Sequence, residues 1–150
     1  DYPDTRNQGL IRRFFTVFWG NMHPVLGVIR TKYLDSTNSM QSFVGADLVL
    51  LSELVLCGDF VRQPDAWWNR RDVRTKETHR ERMRRYTGAE FGQARTTLDK
   101  RFPMLRLPFA LLGAVWMARI PVVQKAVLLV ALLPAMPVRY IVGIIQASKK

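Results

Sequence analysis

The stretch from Gly45 to Phe60, GADLVLLSELVLCGDF, constrains the fold of this chain more than any other. Leu48 to Leu51 and Leu54 to Leu56 are apolar nearly all round, which predicts a helix over residues 47–57 buried on most sides. Gly45 permits an unusual backbone angle just ahead of that helix. Asp47 falls in the first turn, where a carboxylate suits the partial positive charge of a helix N-terminus. Gly58 is expected to close the helix as a left-handed stop. A single acid opening an otherwise oily helix is the feature with the greatest chemical weight.

A chain of 150 residues is one domain or part of a larger one, and 48% hydrophobic content is ample for a core. The formal net charge of +11 points to an anionic partner: phosphates, nucleic acid or acidic lipid. The single cysteine, Cys57, makes no intrachain disulfide and is expected to be a buried small residue of the apolar helix. The first residue is Asp1 rather than Met, which fits a piece of a longer chain.

Residues 1–9 are polar and turn-rich and read as a loop or arm. Leu10 to Trp19 shows helical apolar spacing, with Arg12 and Arg13 on the outer face and Gly20-Asn21 as the stop. After His23-Pro24 comes a β-branched run that predicts a central strand near 25–30. Residues 31–34 read as a short helix and 35–42 as a loop. Further strands are expected near 59–63 and 66–71, forming a hairpin around a Pro64-Asp65 turn. The fold class that follows is α/β, a partial sheet with a buried helix, followed by an all-helical tail. Residues 73–101 form a charged connector, including an arginine-rich helix over 75–86 with i,i+4 pairing. Residues 102–150 form an apolar tail of three helical segments, 108–118, 122–133 and 138–148, divided by Pro121, Pro134 and Pro137. The longest charge-free run there is thirteen residues, Ala126 to Val138. A spanning helix needs roughly 20, so the tail is expected to lie in a membrane interface or to pack on the core, not to cross.

His23-Pro24-Val25-Leu26-Gly27-Val28-Ile29-Arg30-Thr31, then Gly45 to Leu54, Gly58-Asp59-Phe60 and Trp68-Asn69-Arg70-Arg71, resemble the acceptor-side half of bacterial family 2 glycosyltransferases. The likeness runs over residues 21–72, about a third of the chain. It implies a GT-A fold and inverting transfer of a sugar from a nucleotide-diphosphate donor to an acceptor hydroxyl. It places Asp47 as the catalytic base that takes the acceptor proton. Ala46 stands where the family commonly has a second acid. The resemblance also implies acceptor or diphosphate contacts from Trp68, Arg70, Arg71 and His23, with Arg70 and Arg71 offering forked hydrogen bonds. A divalent metal, Mg²⁺ or Mn²⁺, is expected for the complete enzyme, with Asp72 as a candidate oxygen ligand. The family's Asp-x-Asp motif is missing from these residues, so the chain reads as a half-enzyme without its donor site. The implied location is cytoplasmic, peripheral on the inner membrane.

Simpler readings stand beside these. Asp47 is otherwise a first-turn acid, Glu53 a partly buried acid paired with an arginine, and His23 a loop residue. Trp68 is a core residue or a sugar platform. A non-catalytic membrane-surface scaffold is the main alternative function. A nucleic-acid-binding module is a third, motivated by charge but lacking helix-turn-helix spacing or a zinc-ligand set.

Overall fold

The computed structural model describes residues 4–41, 43–65 and 105–148. Among them the regular elements are α1 (Leu10–Trp19), a 3₁₀ turn (His23–Leu26), α2 (Thr31–Leu34), α3 (Ala46–Cys57), α4 (Arg106–Met117) and α5 (Val122–Ser148). No strand occurs among the described residues, so the expected α/β class with a partial GT-A-like sheet gives way to a helical architecture.

The reasons are local. Pro24 occupies the first turn of the His23–Leu26 3₁₀ helix, where its missing N–H costs nothing. The β-branched residues that follow find no neighbour to pair with: Val28 is fully exposed. Residues 59–63 form no strand, and their backbone bonds go to the N-terminal arm. Thr5 N–H donates to Phe60 O at 2.9 Å, and Phe60 N–H donates to Thr5 Oγ1 at 2.7 Å. These contacts bury Thr5 without building a sheet. The expected strand at 66–71 and the charged connector helix lie outside the described residues.

α3 is the centre of the molecule, as its composition predicts. Residues 48–56 are all buried, Ser52 and Glu53 included. α1 and α4 pack against it, and α5 packs on α4 and α1. The shared core joins Phe14, Val17 and Phe18 of α1 to Leu51 and Val55 of α3, Leu111 and Val115 of α4, and Leu128 and Leu132 of α5. The apolar helices of the C-terminal third thus close the same core as α1 and α3.

α5 runs unbroken through Pro134 and Pro137, so the two segments expected at 122–133 and 138–148 are one helix of 27 residues, about 40 Å long. Each proline removes the N–H that would bond the carbonyl four residues back, at Val130 and Leu133. Both prolines are exposed, so neither ring intrudes on the packed face.

Candidate membrane-contact face and the residues around Asp47

Gly45 has φ +90°, the left-handed conformation expected before the helix. Its carbonyl accepts from Leu48 N at 3.0 Å and Val49 N at 3.2 Å. Asp47 follows in the first turn, half-buried, its Oδ1 accepting from Leu48 N at 2.9 Å. The charge facing Asp47 comes from α5: Arg139, whose guanidinium donates to Phe18 O and Gly20 O at the end of α1. That guanidinium lies 5.2 Å from the centre of the Phe18 ring. Burial lowers the Arg139 pKa, and the Asp47 carboxylate opposes that shift. Asp47 therefore sits beside a half-buried cation that ties α5 to α1.

The other site candidates divide by position. His23 begins the 3₁₀ turn that packs against α3, and its backbone N–H donates to Asn21 Oδ1 at 3.1 Å. Trp68, Arg70, Arg71 and Asp72 lie outside the described residues. Among the described residues no group of three or more His, Cys, Asp or Glu side chains is placed to hold a metal ion.

Several readings of single residues change. Glu53 is buried and takes its hydrogen bonds from Asn38, through the backbone N–H at 3.1 Å and the side-chain amide, rather than from an arginine. Cys57 is exposed, its Sγ 3.6 Å from Ser36 Oγ, because the last residue of α3 turns out of the core. Gly58 is fully extended, φ −171°, and closes the helix by donating to Leu54 O. Arg13 is not on an outer face: it reaches Asp59 at 3.2 Å and Leu56 O.

The most extensive chemical feature is on α5. Its buried side, Leu128 and Leu132, faces the core. Its outward side carries Val123, Val127, Val130, Leu133, Val138 and Ile141, all exposed. Neither cation of the helix lies on that side. Lys125 Nζ donates to Trp116 O of α4 at 2.6 Å, and Arg139 reaches α1. The outward face from Val122 to Val142 is therefore free of charge for 21 residues. By length and composition that stretch is sufficient to cross a membrane, which the thirteen-residue linear count had excluded. The signal was in the sequence: Lys125 and Arg139 are fourteen positions apart, close to four turns, and so share one side. Charge is also divided along the chain. All 12 acidic residues lie between Asp1 and Asp99, and none follows.

A scan against protein-family models finds no match, and no curated protein or solved structure matches the chain significantly.

Proposed function

We propose that the chain is a membrane-surface protein that seats the α4–α5 pair on an anionic bilayer. The observation that carries this reading is the charge-free outward face of α5, with both of its cations off that face and bonded to neighbouring helices. Such a face gains by leaving water, at roughly 25 cal/mol for each Å² of apolar surface removed. Isolated exposed apolar residues need no explanation, but a continuous face of this length does. The acid-free C-terminal third supports an anionic surface as the partner. α5 is docked along its inner side on α1 and α4, helices of 10 and 12 residues that are too short to span. That docking favours a helix lying in the interface over one that crosses. Attachment to the cytoplasmic, anionic leaflet belongs to the same proposal.

Co-sedimentation of the full chain with vesicles tests it. Binding is expected to vesicles containing phosphatidylglycerol and to be lost, by tenfold or more, in the variant Val130→Glu, because a charge at that depth costs about 2 kcal/mol or more. Equal recovery of both proteins with the vesicles would refute the assignment of this face. A DNA duplex in the same assay reports on the nucleic-acid reading.

Inverting sugar transfer is the second proposal. It is supported by Asp47, a half-exposed carboxylate placed after a left-handed glycine at the start of the buried helix. It is weakened by the absence of any strand among the described residues. Mg²⁺- or Mn²⁺-dependent binding of a nucleoside diphosphate, measured by calorimetry, would bring it forward.

A further inference from the structure

The turn joining α4 to α5 differs from the rest of the apolar face in how far it stands out. Trp116 is 66% exposed, Met117 75%, Val122 79% and Val123 75%, all within eight residues. Mid-helix the values are mixed, 42% at Val127 and 68% at Val130, and beyond the prolines they are lower, 54% at Ile141 and 39% at Val142. The two ends are also fastened differently. Arg139 ties the distal part of α5 to α1, whereas at the turn Ala118 and Ile120 pack on the core and Lys125 bonds back to α4.

A helix end is a poor thing to put into lipid, because its last carbonyls lack donors. This one is prepared for it. Lys125 Nζ covers Trp116 O, one of the last carbonyls of α4, and the ordinary helical bonds Ala118 N–H to Ala114 O and Lys125 N–H to Pro121 O flank the turn. Pro121, just ahead of α5, brings no N–H of its own. The Lys125 ammonium also lies 5.9 Å from the centre of the Trp116 ring. A tryptophan beside a lysine, with the exposed Arg119 between the helices, has the chemistry of the headgroup boundary.

Resting on the membrane-surface reading, we infer that the α4–α5 turn is the leading edge of contact. Met117, Val122 and Val123 pass beneath the phosphates of acidic lipids. Trp116 and Lys125 sit at the boundary, and Arg119 binds lipid phosphate. α5 therefore enters the bilayer tilted, turn first, with its Arg139 end higher.

The test measures depth at two exposed positions. In a Cys57→Ser background, Val123→Cys and Ile141→Cys, on the same side of α5, each receive a nitroxide, and the full chain is bound to phosphatidylcholine vesicles containing phosphatidylglycerol. Accessibility to oxygen relative to a water-soluble nickel complex is then recorded. A several-fold rise at position 123 with little change at 141 is the expected result. Equal depth at the two positions, or a deeper 141, overturns the tilted entry while leaving surface binding intact. Failure of either labelled chain, and of the unlabelled chain, to bind vesicles overturns both. Immobilisation of the label at 123 without vesicles means that a second protein surface covers the turn, and also overturns it.

Discussion

With φ at +90° and both Leu107 methyl carbons 3.0 Å from where a Cβ would stand, Gly45 resists substitution for two separate reasons. Gly45→Ala is expected to destabilise the fold by about 1–3 kcal/mol, read as a lower urea midpoint with unchanged slope. At the N-terminal arm, the Arg6 side chain and then its backbone N–H hold the Asp4 carboxyl down at about 2, from an ordinary value of 3.8. A depressed folded-state pKa contributes stability above the unfolded value, and this is lost as pH falls through about 2. An NMR titration should place Asp4 near that pH and return it toward 3.8 in Arg6→Ala. Gly45 and the first-turn Asp47 were legible in the sequence because each expresses a local backbone demand. Glu53 and Cys57 were not. Their surroundings depend on Asn38 and Ser36, residues fifteen and twenty-one positions away that nothing local points to.

At the scale of elements, α1, α2 and α3 lie where apolar spacing predicts them, and Pro64-Asp65 is a turn as expected. The strand near 25–30 failed because β-branched residues favour an extended backbone without supplying a partner, and a sheet needs the partner. By sequence α5 reads as two pieces, because proline ordinarily ends a helix. An outward-facing proline lets a helix continue when packing on either side holds it, here through Leu128 and Leu132 before the prolines and Arg139 after them. Among the described side chains, that makes Arg139 the element's fastening beyond Pro137. Arg139→Met keeps the apolar stem but leaves Phe18 O and Gly20 O without this donor. A loss of about 1–3 kcal/mol is expected, measured by thermal melts followed by circular dichroism.

For the whole molecule, the formal charge of +11 is a sum over two unlike parts. Binding to acidic vesicles is expected to weaken several-fold as salt rises from about 50 to about 300 mM, through screening of exposed cations such as Arg119, while the apolar component persists. Sedimentation across that range checks both components. The division of charge has a second consequence. Beyond Lys100 the ionisable side chains are lysine, arginine and Tyr140, with no carboxylate or histidine. Such groups hold their charge state from about pH 3 to about pH 9. Acidification alters the first two thirds of the chain, where every Asp, Glu and His resides, and leaves the other end electrically constant. A compartment that acidifies would thus change how the body of the protein interacts without changing the sign or size of the charge it offers to a bilayer.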